Sequence, residues 1–229
     1  MNHDAEFSAA VRRTPGADSH AAMPGAPVVF AASCPAGESV EGALSAPANS
    51  ALARLCEALD AAFLSAAHAG EPSHSAEFAR RVRAALAQAV ADETLLAPAQ
   101  REGSPDCYRR HLLAADPRGR YAIAALVWQP GQASPVHAHH TWCGYAVIDG
   151  ALTETVYDWN EAAGCATESR THPREAGAAS YTRAGTTGIH RLCNTSTAPA
   201  VSLHLYGVAG PQITTHVNDL VRVEAGAML

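Results

Sequence analysis

The chain has 229 residues, 48% of them hydrophobic, and a formal net charge of -6 at pH 7. This length suits one domain plus an extension, and the acidic balance argues against a nucleic-acid partner, which would require a basic surface. No apolar run approaches the roughly 20 residues that span a bilayer, so we expect no membrane partner either.

The six cysteines lie at irregular spacings and form no C-x-x-C pair. In a chain of this length that pattern does not indicate a disulfide scaffold, so we expect reduced thiols and a cytoplasmic protein. A short apolar run at 26–33 is the competing indication of a secretion signal. It lies late in the chain and follows Pro24 and several acidic residues, which is not typical of such signals.

Residues 1–48 are rich in Ala, Gly, Ser and Pro and have no sustained hydrophobic period, which predicts a disordered leader. A helical lead-in then covers 49–97. Its first helix is capped at Asn49-Ser50 and ends near Ser65, and its second runs from about Ser75 to Ala91. Apolar residues recur at three- and four-residue spacing in both, so we expect the helices to pack outside a sheet.

From residue 107 the sequence changes to short strands separated by turn residues. The predicted strands are Tyr108–Leu113, Tyr121–Gln129, Val136–Thr141, Cys143–Ile148, Leu152–Asp158, Ala178–Thr182, Ile189–Cys193, Val201–Tyr206 and Leu220–Val223. Asp149-Gly150 predicts a hairpin turn. Strands without intervening helices predict an all-β sandwich or barrel of the jelly-roll kind at 107–225, within a single domain over 49–229.

A metal site is indicated by His137 and His139, which lie one residue apart between β-forming runs. On a strand both imidazoles point to the same face, where two neutral rings can bind one divalent ion. Their surroundings, GQASPVHAHHTWCGYAVIDG, read G-x5-H-x-H-x3-C-x6-G. This pattern resembles the first cupin motif in every spacing, with Cys143 where the motif normally has an acidic residue.

A second, looser resemblance lies downstream. The residues Gly177, Gly185, His190 and Asn194 are similar to the second cupin motif, although its usual proline is Arg183 here and one gap is two residues longer. The resemblance implies a cupin, a small β-barrel that holds a metal ion at its mouth with His137, His139 and His190.

Three neutral histidines would leave a divalent ion with its full charge, unlike the two-histidine, one-carboxylate set of many iron oxygenases. Such a site favours an anionic incoming ligand, and a substrate thiolate is a natural candidate. Iron(II), which binds both thiolate and dioxygen, follows as a hypothesis. Zinc also accepts three histidines, so the spacing does not select the metal.

Three polar residues alternate along the segment AVSLHLYGV, namely Ser202, His204 and Tyr206, so they share one strand face and suggest a serine–imidazole–phenol hydrogen-bond relay. With the histidine motif, this pattern resembles the thiol dioxygenases related to cysteine dioxygenase, over roughly 108–207. The resemblance implies that iron(II) and dioxygen convert a small thiol to its sulfinate. It also implies that Tyr206 donates a hydrogen bond to the reacting groups and that His204 and Ser202 orient it.

The substrate is indicated by Tyr108 and Arg110, which share a strand face and resemble the Tyr-x-Arg of cysteine-using members, where the arginine binds the substrate carboxylate. The run HLLAADP at 111–117 is instead similar to mercaptopropionate-using members. Those carry glutamine in place of Arg110 and take their arginine from the segment after the Ser-His-Tyr strand. Here that segment, 207–219, contains no Arg or Lys. The balance favours cysteine, with 3-mercaptopropionate and mercaptosuccinate as alternatives.

The sequence is consistent with two roles for Cys143. In animal cysteine dioxygenases a cysteine at this motif position forms a thioether with the relay tyrosine, which makes Cys143 and Tyr206 a candidate two-residue cofactor. Cysteine is also a common small buried hydrophobic residue, and this alternative stays open.

Two more distant functions remain. One is a metal-dependent cupin isomerase or hydrolase, and the other is a non-catalytic cupin that binds a small ligand. For the favoured enzyme we expect a small thiol as its partner and a monomer or small homo-oligomer.

Overall fold

The fold comes from a computed structural model, which describes residues 50–68 and 70–224. The leader predicted over 1–48 lies outside this range. The described helices are α1 (Ala51–Ser65) and α2 (Ala76–Val90). The described strands are β1 (Arg109–Ala115), β2 (Ala122–Trp128), β3 (His137–His139), β4 (Cys143–Asp149), β5 (Ala151–Asn160), β6 (Cys165–Glu175), β7 (Ala179–Thr182), β8 (Gly185–Cys193), β9 (Ala200–Tyr206) and β10 (Asn218–Leu220).

The strands form two five-stranded sheets that face each other. The first sheet has the order β1-β2-β9-β4-β7 and the second has the order β10-β3-β8-β5-β6, with antiparallel neighbours in both. One buried apolar cluster includes Tyr108, Trp128 and Tyr145 of the first sheet region and Leu152 and Leu192 of the second. The all-β prediction with two outer helices is confirmed.

The two helices cover the outer face of the first sheet. Each begins at a serine whose hydroxyl accepts a backbone N–H three residues on, as Ser50 does from Ala53 and Ser75 from Phe78. Phe78, Val82 and Leu86 of α2 are fully buried in the cluster below them. The helix packs so closely on β4 that a Cβ on Gly144 would lie 3.0 Å from Leu86 Cδ1.

The turn at Asp149-Gly150 is present but does not make the predicted hairpin. β4 pairs with β7 and β9 in the first sheet, whereas β5 pairs with β6 and β8 in the second. The turn therefore carries the chain across the sandwich. Gly150 has φ +71°, and a Cβ there would lie 2.9 Å from the carbonyl oxygen of Pro199, so both conformation and space require glycine.

Strand β6 was not predicted. Its sequence, CATESRTHPRE, has no apolar alternation because the strand lies at the edge of the second sheet and most of its residues are exposed. The last strand is also displaced, since β10 begins at Asn218 rather than Leu220. Neither end of the second sheet therefore follows from the hydrophobic pattern.

Among the described residues, Cys56, Cys143, Cys165 and Cys193 carry free thiols, as expected. Cys107 is disulfide-bonded, so the expectation of reduced thiols is wrong for this residue. Spacing along a chain does not reveal which cysteines meet in the fold. Across the described residues, no helix is both long and apolar enough to cross a membrane.

Candidate metal and substrate site

The three predicted metal ligands converge inside the sandwich. β3 carries His137 and His139, and β8 carries His190, which pairs in register with His137. The ring centroids are 4.8–5.2 Å apart in all three pairs. Each histidine offers a ring nitrogen within 4.8 Å of the others, and all three residues are buried.

The hydrogen bonds of these rings leave nitrogen lone pairs facing one another. His137 donates from Nδ1 to the carbonyl oxygen of Pro135 at 2.9 Å, which leaves its Nε2 free to act as a ligand. The Nδ1 of His139 is buried and makes no hydrogen bond of ordinary geometry. Burial lowers the pKa of His137 to about 3 and that of His139 well below its usual value, so both rings are neutral at pH 7.

These observations fit a divalent metal ion. Neutral imidazoles gathered in a buried cavity are typical ligands of iron and zinc, and they have little else to bind there. His137, His139 and His190 are the residues that would hold the ion. The Glu that usually completes the first cupin motif is absent, and Cys143 takes its place.

A buried carboxylate that the sequence analysis missed lies behind His190. Glu154 of β5 accepts a hydrogen bond from Nδ1 of His190 at 2.7 Å through Oε1. Its Oε2 lies 3.2 Å from Nε2 of His172 and 3.6 Å from Nε of Arg174, both on β6. Burial alone would raise the pKa of Glu154, but the hydrogen bond with His190, helped by the nearby charge of Arg174, outweighs burial and lowers the pKa. One sequence feature could have revealed it: Glu154 lies two residues after buried Leu152 on β5, so its side chain points to the same inward face.

The predicted relay lies on the opposite sheet. Ser202 and His204 are hydrogen-bonded, with Oγ and Nε2 2.9 Å apart. His204 and Tyr206 meet through their rings, which stack with centroids 5.8 Å apart. Burial chiefly raises the pKa of Tyr206 above its usual value, so the phenol keeps its proton and can donate it in a hydrogen bond.

Trp128 extends this relay and was not predicted. Its indole Nε1 donates to Oγ of Ser202 at 2.9 Å. Because an indole N–H can only donate, Ser202 accepts from Trp128 and can donate its own hydrogen to Nε2 of His204. In this arrangement the proton of the neutral imidazole lies on Nδ1.

Arg110 is buried at the same cavity. It lines the space between the sheets together with Tyr108, Tyr206 and the three histidines. Its Nη1 donates to the carbonyl oxygen of Ile213 at 3.0 Å, its guanidinium carbon lies 5.7 Å from the ring centroid of Tyr206, and its Nε is buried without a partner. Among the described residues, no carboxylate forms an ion pair with it. The cavity thus contains a cation that can bind an anion.

Cys143 and Tyr206 are register partners on β4 and β9, so their side chains leave neighbouring strands at the same level. Both are buried and line the cavity. Burial raises the pKa of the Cys143 thiol to about 12, so the thiol is protonated at pH 7.

Other conspicuous residues lie outside the cavity. His140 is exposed and contacts Asp219, with Nδ1 and Oδ1 3.2 Å apart, as expected for a ring on the opposite face from the ligands. Asn194 of the second motif donates to the carbonyls of Trp128 and Ala198, which fixes the turn after β8. Asp116, within the HLLAADP run, binds Arg120 instead of facing the cavity.

A family model described as cysteine dioxygenase type I matches residues 103–218, half of the chain. The chain belongs to the cysteine dioxygenase type I family. The match includes all three histidines, the Ser202–Tyr206 segment and Arg110. Membership of the cysteine dioxygenase family, together with the three-histidine group, supports a dioxygenase with a metal centre, and the fold is that of a cupin with two outer helices.

Several solved structures are similar to this chain at low identity. The protein TT1209 from Thermus thermophilus is 21% identical over 47% of this chain and 89% of its own, with a TM-score of 0.37. A cupin 2 conserved barrel domain protein from Salinispora arenicola is 20% identical over 48% and 83%, with a TM-score of 0.36. A protein with a double-stranded β-helix domain from Klebsiella pneumoniae is 16% identical over 52% and 93%, with a TM-score of 0.38.

Proposed function

We propose that this protein is an iron(II)-dependent thiol dioxygenase that adds both atoms of dioxygen to the sulfur of a small thiol carboxylate, with cysteine as the favoured substrate. The observation that carries this proposal is the pairing of three buried histidines on one sheet with a buried guanidinium and a Ser-His-Tyr series on the other. Iron(II), when bound by the histidines, would supply the redox chemistry that activates dioxygen toward the thiol.

Arg110 is the proposed carboxylate anchor. A buried guanidinium whose Nε has no partner can bind a carboxylate through charge-assisted hydrogen bonds. This contact would fix one end of the substrate, so that its sulfur reaches the histidine cluster in a single orientation. Tyr108, which packs on Trp128 with ring centroids 4.4 Å apart, would form the wall beside it.

Tyr206 is the proposed hydrogen-bond donor to the reacting groups. Its phenol stays protonated, and its ring lies near both the guanidinium of Arg110 and the imidazole of His204. Ser202 and Trp128 hold His204 in place by hydrogen bonds, and His204 supports the Tyr206 ring from one side. The donor would therefore be oriented before substrate arrives.

The choice of cysteine over 3-mercaptopropionate has two supports. Arg110 is in place at the cavity, and the segment at 207–219 contains no Arg or Lys that could replace it. The HLLAADP run, the feature that favours mercaptopropionate, has its aspartate engaged by Arg120 away from the cavity. In this chain that run therefore serves the turn after β1 and does not argue for a substrate.

A thioether between Cys143 and Tyr206 is a further part of the proposal, supported by their register and their shared burial. Its formation would break the S–H bond and one ring C–H bond and form a C–S bond, with dioxygen taking up the two electrons and two protons as hydrogen peroxide. Intact mass would then be lower by two hydrogen atoms, and digestion would release one linked peptide. Two unlinked peptides from fully active enzyme would contradict the thioether.

The deciding experiment is oxygen consumption by the iron-loaded protein with cysteine, 3-mercaptopropionate, mercaptosuccinate and cysteamine. We expect cysteine to give the highest kcat/KM and its sulfinate as the product. A preference for cysteamine would contradict the role of Arg110, because cysteamine has no carboxylate. Full activity without bound iron would contradict the mechanism.

A further inference from the structure

We infer that Glu154 is a positioning residue for the metal centre: it fixes His190 in the form that presents Nε2 to the ion and supplies the negative charge that the ligand set lacks. This inference rests on the proposed function only in assuming that the three histidines bind a metal. It names a residue outside the three histidines, the Ser-His-Tyr series and the arginine anchor.

The first support is the hydrogen bond itself. Glu154 Oε1 and His190 Nδ1 are 2.7 Å apart and both residues are buried, which is the short distance of a charge-assisted contact. With its proton held on Nδ1, His190 presents Nε2 with a free lone pair. A carboxylate partner of this kind orients a ligating imidazole and makes it a stronger electron donor.

The second support is the asymmetry among the ligands. His137 donates to a neutral carbonyl, that of Pro135, and His139 makes no ordinary hydrogen bond from Nδ1. Only His190, among the three, is bonded to a carboxylate. The charge that a cupin glutamate would place directly on the metal is therefore held one hydrogen bond away, behind His190.

The third support is the way in which the carboxylate is held. Glu154 is in register with His172 on β6, and Arg174 lies two residues further along that strand. Nε2 of His172 lies 3.2 Å from the Oε2 atom and Nε of Arg174 lies 3.6 Å from it. Oε1 is thus hydrogen-bonded to His190, while Oε2 lies within ion-pair distance of two side chains on β6, and rotation of the carboxylate would disturb these contacts. Both of these partners of Oε2 lie on the polar edge strand β6, which the sequence pattern did not predict.

The test measures metal binding, not catalysis. Co(II) is titrated under anaerobic conditions into the metal-free full chain, and its affinity and visible absorption bands are recorded. We expect Glu154→Ala to weaken Co(II) binding by about 10- to 100-fold, as is usual when such a partner is lost. Glu154→Gln keeps the size and an acceptor oxygen but not the charge. We expect it to bind Co(II) with an affinity between those of the wild type and the alanine variant, and with shifted absorption bands.

The matched control is Glu175→Gln, which removes a carboxylate from an exposed position on β6. We expect wild-type affinity and bands from it. Wild-type affinity together with unchanged bands in Glu154→Gln would overturn the inference, and this variant decides the question even if Glu154→Ala does not fold. A purely structural role would lower the stability of the metal-free protein without moving the bands, and that result would also overturn it.

The outcome is separable from that of the proposed function, because Co(II) binding needs neither thiol nor dioxygen. If the Glu154 variants weaken binding while no thiol is oxidised by the iron-loaded wild type, the inference stands and the dioxygenase proposal fails. If the wild type binds no divalent metal at these histidines, both fail.

Discussion

At Arg110 a positive charge is buried beside the three histidines, and its Nε has no hydrogen-bond partner. Burying a cation is costly unless an anion or several acceptors compensate, and the carbonyl oxygen of Ile213 is a single neutral acceptor. The position is therefore suited to a ligand that brings its own negative charge. This reasoning is independent of the motif resemblance and leads to the same residue.

We expect Arg110→Ala to lower kcat/KM for cysteine by about 10- to 100-fold, since a hydrogen bond to a charged group contributes about 1.5–3 kcal/mol. Oxygen uptake at varied cysteine concentration measures this loss, which should fall mainly on KM. Oxidation of cysteamine, which has no carboxylate, should change little.

Arg109→Ala is the matched control, because Arg109 lies next to Arg110 on β1 and points to the opposite face. We expect it to keep the wild-type kinetics. Equal losses for cysteine and cysteamine in Arg110→Ala would show that the residue acts on the structure of the site instead of on the carboxylate.

Ser202 is hydrogen-bonded to both Trp128 and His204. Ser202→Ala should leave a buried indole N–H and a buried imidazole nitrogen without partners, at a cost of about 1–3 kcal/mol in the free energy of unfolding. It should also lower kcat, because His204 loses the contact that orients it beneath Tyr206.

A double-mutant cycle with Trp128→Phe isolates the hydrogen bond in urea unfolding experiments. If the bond exists, the loss in the double variant is smaller than the sum of the two single losses. Additive losses would mean that Trp128 and Ser202 contribute separately.

At the scale of elements, helix α1 and the turn between β1 and β2 are joined through Arg120. Its guanidinium binds Asp116 within the turn, bonds to Asp60 of α1 and lies 4.8 Å from the ring centroid of Phe63. Asp116 is buried, and its hydrogen bond with the Arg120 side chain is the main cause of a pKa lowered to about 2. A turn whose sequence resembles a substrate-related segment is thus an attachment point for a helix.

The lowered pKa predicts a pH dependence of stability. A carboxyl group whose pKa falls from 3.8 to about 2 on folding favours the folded state above pH 4, and this contribution is lost as the pH falls through 2. We expect Asp116→Asn to lower the free energy of unfolding by about 2 kcal/mol at pH 7, which is the free energy equivalent to a fall of the pKa from 3.8 to about 2.

Urea unfolding at pH 7, 5 and 3 checks this expectation. The difference between the variant and the wild type should be constant from pH 7 to 5 and smaller at pH 3. Glu175→Asn, at an exposed position without a buried partner, serves as the control. A difference that is the same at all three values would refute the assignment to ionised Asp116.

Sequence patterns predicted these elements unequally, and the reason is physical. Apolar faces that must be buried are present on helices α1 and α2 and on strands β2 and β9. The spacing of apolar residues along the sequence therefore predicted these elements correctly. The exposed edge strand β6 has no such face and was missed, and Glu154, whose outer partners lie on β6, was missed with it. The Asp149-Gly150 turn was recognised, but a turn signal does not state which sheet the next strand joins.

The site shows the same division. The placement of His137, His139 and His190 in one cluster, and of Ser202 and Tyr206 on one strand face, was predictable because spacing along a strand determines which side chains share a face. Trp128 and Glu154 reach their partners across strands, so they depend on a register that the sequence does not display. The contact between His204 and Tyr206 was predicted as a hydrogen bond, and the rings are instead stacked.

On the scale of the whole molecule, the two sheets contribute different parts of the candidate site. The second sheet contributes the three histidines and Glu154, whereas the first contributes Arg110, Cys143 and the Ser202–Tyr206 series. Substrate is expected to bind between them, with the metal ligands on one side and the carboxylate anchor on the other. Metal binding and substrate binding should therefore be separable by mutation.

Removing the metal tests this division, because an ion that binds only the folded state stabilises it by an amount set by its concentration and Kd. His139 and His190 are far apart in sequence and meet only in the folded sheet, so the unfolded chain should bind the ion weakly. At a free Co(II) concentration about 100 times Kd the gain is about 2.7 kcal/mol, which corresponds to a Tm about 5–10 °C higher for a chain of this size. Anaerobic thermal unfolding with and without Co(II) measures this increase in Tm.

We expect the full increase in Arg110→Ala, whose change is on the first sheet, and none in His137→Ala. An increase in His137→Ala equal to that of the wild type would place the ion elsewhere, and its loss in Arg110→Ala would show that the two sheets do not act separately.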